Sequence, residues 1–187
     1  MALKRSNLKL DSPVNNFATL NSLVPSSERT SISGGNLKII GTSTGESGVD
    51  YGNISVSSGK WYWEVAVIAK SGAASYPFIG VGRILVGNSN GDTPGYESKG
   101  CAIANNGTVY KEGETFTSTS SFTTHDIISV VLDMDSLTCE YWKNGVSVAT
   151  VTGLVAESHF ATVGNYHNSS TVFNFGQNPD FCGEKTD

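Results

Sequence analysis

Lys60-Trp61-Tyr62-Trp63-Glu64-Val65-Ala66-Val67 is the stretch on which the fold class turns. Successive side chains of an extended chain point to opposite faces, so Trp61, Trp63, Val65 and Val67 share one face while Lys60, Tyr62, Glu64 and Ala66 share the other. The first face is apolar throughout, which is the pattern of a strand laid over a core. Downstream, Ile127 to Asp133 places Ile128, Val130 and Leu132 on one side, and Ile127 and Val131 are apolar as well. A strand covered on both faces belongs in the middle of a layered structure. The expected class is all-β, a two-layer antiparallel β-sandwich.

Further short β-branched and aromatic runs surround these two. They include Asn36 to Ile40, Phe78 to Ile84, Gly100 to Ala104, Leu137 to Trp142, Val146 to Val151, Phe160 to Val163 and Thr171 to Phe175. Glycine, asparagine and serine clusters break them apart. Asn144-Gly145 joins two apolar runs through the pair that best tolerates the positive φ angles of a type I′ hairpin turn, and Asn106-Gly107 carries the same signal. Asp133-Met134-Asp135-Ser136 supplies a longer polar turn. The strands therefore return antiparallel. No stretch of helical length shows a helical period, and no repeat of solenoid or propeller length is visible.

At the start of the chain, residues 1–24 lack a sustained period and read as an arm, and Pro25 to Ser31 reads as a connecting loop. The domain is expected over residues 25–187. With 187 residues, 38% of them hydrophobic and 16% charged, the chain is long enough to bury a real core. Twelve basic against 17 acidic side chains give a net charge of −5, the wrong sign for phosphate backbones, so nucleic acid is excluded as an expected partner. Cys101, Cys139 and Cys182 form an odd set without C-x-x-C spacing and read as reduced thiols. No apolar run reaches signal-peptide or membrane-spanning length, which points to folding in a cytoplasm without membrane insertion.

In order along the chain stand Ser58-Gly59-Lys60-Trp61-Tyr62-Trp63-Glu64-Val65, Phe78-Ile79-Gly80-Val81-Gly82, Asp126 to Asp133, Tyr141-Trp142-Lys143-Asn144-Gly145-Val146 and Phe173-Asn174-Phe175-Gly176-Gln177. This series resembles a SPRY domain over roughly residues 34–181. His125-Asp126 departs from it, since the family usually has Gly-Asp before the long central strand, and so does the long polar loop from Val86 to Ser98. The resemblance implies a concanavalin A-like jelly roll that recognises partners through loops on one rim and does no chemistry. Carried onto this sequence, the family's partner surface falls at Tyr76, Arg83, Tyr96, Asn165, Tyr166 and His167. Loop-borne tyrosines are good anchors for peptides or sugars, but Tyr96 and Tyr166 read equally well as packing over the ends of the sandwich. Trp61, Trp63 and Trp142 lie in strand patterns and are expected in or near the core.

The leader, with Leu8-Lys9-Leu10-Asp11 and Asn16-Phe17-Ala18-Thr19-Leu20-Asn21, resembles SPRY-bearing tail-fibre and other virion proteins of bacteriophages. That resemblance implies a virion component, either capsid decoration or tail-associated, whose arm docks to capsid or tail proteins and which meets a host surface protein or glycan. The localisation would be the virion, after folding in the host cytoplasm. A homo-oligomer is compatible with such a role, although no heptads mark one. The alternatives are a cytoplasmic adaptor that captures a short peptide segment of a target protein, and a carbohydrate-binding virion protein.

Residues with chemical potential are sparse. His125 and Asp126 are adjacent and would face apart in a strand, and Ser57-Ser58-Gly59 lacks the Gly-x-Ser-x-Gly elbow. Glycoside hydrolysis needs two carboxyl groups about 5–9.5 Å apart across a cleft, and Glu64 and Glu140 read as lone, solvent-facing carboxylates instead. Asn88, Asn90, Asp92, Asp133 and Asp135 offer oxygen ligands, but the loop lacks a closing bidentate glutamate, and Asx turns account for these residues. His125, His159 and His167 are scattered. The expectation is a non-enzyme with no cofactor and no metal.

Overall fold

The structure, a computed structural model, describes residues 16–23, 29–44, 47–70, 76–83 and 93–178. Among these residues the regular elements are β1 (Thr30–Ser33), β2 (Lys38–Gly41), β3 (Gly48–Val56), β4 (Lys60–Ala69), β5 (Phe78–Gly82), β6 (Cys101–Ala104), β7 (Thr108–Lys111), β8 (Glu114–Ser118), β9 (Ile127–Asp133), β10 (Thr138–Lys143), β11 (Val146–Thr152), β12 (His159–Asn165) and β13 (Ser170–Asn174). They form a seven-stranded sheet, β1-β2-β13-β4-β9-β10-β11, and a six-stranded sheet, β3-β12-β5-β6-β7-β8. Every pairing is antiparallel. The fold is the two-layer sandwich that the strand patterns call for.

The alternation in β4 sets the core. Trp63, Val65 and Val67 face inward beside Ile128, Val130 and Leu132 of β9, and Ile79, Val81, Cys101, Ile103 and Val163 come from the other sheet to meet them. Trp61 is the exception on that face: it sits near the end of β4, is 45% exposed, and donates its indole N–H to the Ser58 carbonyl at 2.8 Å. Trp142 is half-buried on the outward face, where its N–H binds Glu140. Of the tryptophans expected in or near the core, Trp63 alone is fully inside.

The turns follow local chemistry. Asn144 and Gly145 have φ of 48° and 76°, the two positive angles of a type I′ turn, whereas at Asn106-Gly107 only the glycine takes a positive φ, of 90°. His125 adopts φ 75°, so the tight turn survives where the family usually has glycine. Histidine is among the residues that tolerate this region better than most. Asp126 fixes the turn by accepting from the Thr123 N–H and the Asn144 side-chain amide.

Two expectations shift at the start of the chain. Thr30 and Ser31, read as loop, belong to the edge strand β1, whose alternating exposure hides their strand character in sequence. Within the expected arm, Thr19 to Asn21 bind β3 and the β1–β2 turn: the Asn21 N–H donates to the Tyr51 carbonyl and the Asn53 N–H to that of Thr19, while the Leu20 N–H donates to the Asn36 carbonyl of the turn. Leu20 is 1% exposed and part of the core cluster. Residues 1–15 of the arm lie outside the described residues.

Close backbone approach is what makes Gly80 obligatory: a Cβ there would stand 2.1 Å from the Cys101 carbonyl oxygen and 2.6 Å from the Ala102 Cα. Gly80→Ala is expected to cost about 1–3 kcal/mol or more, lowering Tm by roughly 2–4 °C per kcal/mol in a thermal melt. Gly52→Ala, whose Cβ would meet nothing nearer than 3.5 Å, should melt close to the wild type.

Candidate functional site

Glycines on the outward face of the six-stranded sheet let a loop lie directly on it. A Cβ at Gly164 would strike Pro94 at 2.6 Å, and one at Gly82 would meet Ser98 at 3.0 Å. Gly95 itself has φ 74° and no room for a side chain against Ala102. The loop is cinched by its own bonds, from the Thr93 N–H to Glu97, from the Gly95 N–H to the Ser98 hydroxyl, and from the Gly113 N–H to the Gly95 carbonyl. Tyr96 is thereby held 45% exposed on a fixed support.

Opposite it, the turn between β12 and β13 is equally constrained. Ser169 Oγ accepts from the Tyr166 N–H and donates to Asn165 Oδ1, while the His167 N–H reaches the Ser43 carbonyl and the Asn168 N–H that of Gly41. The Tyr166 hydroxyl donates to the Thr44 carbonyl at 2.6 Å. Gly41 allows this packing, because a Cβ would lie 2.7–2.9 Å from Tyr166 backbone atoms.

Between these supports runs a chain of rings. His167 stands 5.9 Å from Tyr166, Tyr166 is 5.4 Å from Tyr76, Tyr76 is 4.9 Å from Phe78, Phe78 is 5.7 Å from Tyr110, and Tyr110 is 6.1 Å from Tyr96. These spacings are those of interacting aromatic pairs. The run joins Tyr76, Tyr96, Tyr166 and His167, which the sequence singles out, through Phe78 and Tyr110, which it does not. The missed pair had a usable signal: Phe78 and Tyr110 both occupy the outward parity of their strands, opposite the inward Ile79 and Val109.

Arg83 and Asn165 differ from the other four. Asn165 is fully buried and shapes the turn beneath Tyr166. Arg83 is spent within the chain: its fork meets both Glu112 oxygens, at 3.3 and 2.8 Å, and its remaining arm meets Glu157 at 2.8 Å. The clamp ties the end of β5 to the β7–β8 turn and to the segment before β12. Burial pushes the Glu112 carboxyl up, but the Arg83 hydrogen bond, the Gly100 N–H and the nearby cations outweigh it and hold the group below the usual carboxylate range.

The other candidate chemistry is equally engaged. Glu64, expected at a solvent-facing position, is 1% exposed; it accepts from the Tyr62 hydroxyl at 2.8 Å and the Asn174 amide at 2.9 Å. Glu140 lies on the same outward face but two strands away, since Glu64 aligns with Ser129 and Glu140 with Val131. Two strand spacings alone are about 9.6 Å, and the extra two-residue offset widens the gap beyond a hydrolase pair. Asp133 accepts from the Asp135 and Ser136 N–H groups and meets Lys60 at 3.1 Å, the Asx chemistry expected of that turn. Asn88, Asn90 and Asp92 lie outside the described residues.

A family model described as the SPRY domain matches residues 60–178. Among solved structures, the SPRY domain of human HERC1 is similar, with a TM-score of 0.65 and 21% identity over 80% of this chain and 96% of that one. Another human SPRY domain matches with a TM-score of 0.62 and 18% identity, again over 80% and 96%. Stonustoxin matches with a TM-score of 0.67 and 16% identity over 85% of this chain and 27% of the toxin chain. At such identities the structural likeness speaks for the fold alone.

The clamp makes a pH prediction. A carboxyl whose folded pKa is depressed contributes stability above its unfolded pKa and loses it as pH falls through the folded one. Glu112→Gln should therefore lower Tm at pH 7, and the gap to wild type should close as melts are taken from about pH 5 to about pH 3.

Proposed function

The chain belongs to the SPRY-domain family, and from that premise we propose that it is a non-catalytic protein-binding module that captures a short segment of another protein along the Tyr76-to-Tyr96 aromatic run. The observation that carries this reading is the unbroken series of rings from His167 to Tyr96, whose ends stand on two braced loops and whose middle rests on the buried Phe78 of β5 and on Tyr110 of β7. Rigid aromatic side chains give contact area at little entropic cost, and loops on a stiff scaffold are the usual seat of recognition. A binding module needs no acid–base pair, and the carboxylates discussed above are engaged in holding turns and strands.

As to setting, the peptide-capturing adaptor agrees with the comparisons better than the virion reading does, because two of the relatives named above are human SPRY domains. The virion reading keeps one observation in its favour, the resemblance of the leader from Leu8 to Asn21 to phage virion proteins. In that setting the same domain would be carried on a particle, with the part of the arm ahead of Asn16 as its docking segment, since Thr19 to Asn21 are held in the sandwich. Recovery of the native protein in purified particles supports the virion setting; recovery with a soluble target and absence from particles supports the adaptor.

Selection from a displayed peptide library against the immobilised full chain tests the site. Enriched peptides are expected to lose about 30-fold or more in affinity to Tyr96→Ala or Tyr76→Ala, the scale of an interface anchor of at least ~2 kcal/mol. Val146→Ala, on an exposed residue of the other sheet, should leave binding unchanged. Binding that tolerates both tyrosine changes, or a glycan array that lights up while no peptide enriches, would sink the peptide reading.

A further inference from the structure

Phe78 divides the aromatic run in two. It is 5% exposed and lies between Tyr76, at 4.9 Å, and Tyr110, at 5.7 Å. Tyr76 and Tyr110 are half-buried, and each pairs onward with a tyrosine on a braced loop, Tyr76 with Tyr166 at 5.4 Å and Tyr110 with Tyr96 at 6.1 Å. What meets solvent is therefore two tyrosine pairs on either side of a buried ring. The rings of each pair are inclined to one another, by 37° and by 80°, which leaves a notch between them.

The hydrogen-bonding groups of this surface are of one kind. Among the described residues the Tyr76, Tyr96 and Tyr110 hydroxyls have no partner in the protein, whereas that of Tyr166 is spent on the Thr44 carbonyl. Each free phenol brings one donor. No carbonyl or carboxylate side chain stands in the run to accept from peptide N–H groups, and none of its members from Tyr166 to Tyr96 bears a charge that would favour an acidic or a basic segment. The nearby Arg83 clamp is closed on Glu112 and Glu157. A guest matched to such a surface is neutral, has compact apolar bodies for the notches, and offers carbonyls without demanding acceptors in return.

On the premise that the run binds a peptide, we propose that the captured segment is proline-rich and lies in the polyproline II conformation, its prolines in the two tyrosine notches and its carbonyls accepting from the free hydroxyls. Proline has no N–H, and this conformation makes no internal hydrogen bonds, so the carbonyls stay available. It advances about 3.1 Å per residue, which sets prolines three positions apart at about 9 Å, within the two ring steps from Tyr76 through Phe78 to Tyr110. The segment is largely ordered before it binds, which lowers the cost of capture, and aromatic-lined surfaces are the usual seat of such segments. A peptide in strand conformation would bring N–H groups that find no carbonyl or carboxylate in the run, and a donor left without its partner costs affinity.

Calorimetric titration of the full chain tests this with three end-blocked probes of ten residues: L-decaproline, D-decaproline, and a neutral peptide of alternating glutamine and alanine. L-decaproline should bind at least tenfold more tightly than the other two. Tyr96→Phe and Tyr110→Phe, which keep the ring and lose the hydroxyl, should each weaken it about fivefold, and Tyr96→Ala about 30-fold or more. Thermal melts check that each variant folds, and the exposed Tyr96 pair of variants decides should Tyr110→Phe not fold. L-decaproline that binds no more tightly than its comparators overturns the proline assignment, while library peptides without proline that still depend on Tyr76 and Tyr96 leave the site itself standing. Binding of L-decaproline that falls with Tyr96→Ala but with neither phenylalanine variant overturns the carbonyl–hydroxyl contacts. Binding indifferent to both Tyr96→Ala and Tyr76→Ala overturns the proposal together with the site.

Discussion

The inward face of β4 bears the weight of this structure. Trp63, Val65 and Val67 run along one side of a strand that pairs on both edges, with β13 and with β9, and they meet Ile79, Val81 and Val163 from the opposite sheet. Burial of such side chains contributes roughly 1.5–3 kcal/mol each relative to exposure, and truncating one of them costs more because a cavity is left behind. The register of β4 is thus held by its core face, since a one-residue slip would turn Glu64 inward and Trp63 outward. Once β4 is fixed, the pairing carries that order across β9 and β10 to β11 on one side and through β13 to the edge strand β1 on the other.

The outward face of the second sheet follows a different rule, that of backbone proximity. Gly80, Gly82 and Gly164 lack the atoms that would hold the Pro94–Ser98 loop and the neighbouring strand away. The absence of side chains there lets the loop settle on the sheet, brings Tyr96 within reach of Tyr110, and so extends the aromatic run across strands that are distant in the chain. Arg83, Glu112 and Glu157 brace the adjoining connections by charge-assisted hydrogen bonds, which are stronger and more directional than neutral ones. Tyr96, Tyr166 and His167 stand on loops whose backbone groups are tied down, while Phe78 and Tyr110 stand on β5 and β7.

Much of the fold is legible in the sequence because its signals are local. The alternation of Lys60 to Val67 and the apolar residues on both faces of Ile127 to Leu132, broken only by Ser129, mark their strands, and Asn144-Gly145 marks its turn through two residues that accept positive φ. The strands that escape notice are those without that contrast. In β3, Gly48 to Val56 mixes Asp50, Gly52 and Asn53 with its apolar residues, and in β1 the polar Thr30, Ser31 and Ser33 lie on a sheet edge. Both owe their strand state to partners far along the chain. Glu64 is a related case: a charged residue on the expected solvent face is buried because Tyr62 and Asn174 provide hydrogen bonds there.

For the site, the residue types were readable and their company was not. Tyrosines flanking Phe78 to Gly82 and following β12 follow from the family pattern. Which of them touch one another, that Phe78 and Tyr110 link them, and that Arg83 closes on two glutamates depend on contacts between positions tens of residues apart. Alternation and turn chemistry act over a few bonds and are written into neighbouring residues. Side-chain proximity across sheets is set by register and by where a loop finds room to lie, and only the folded chain decides either.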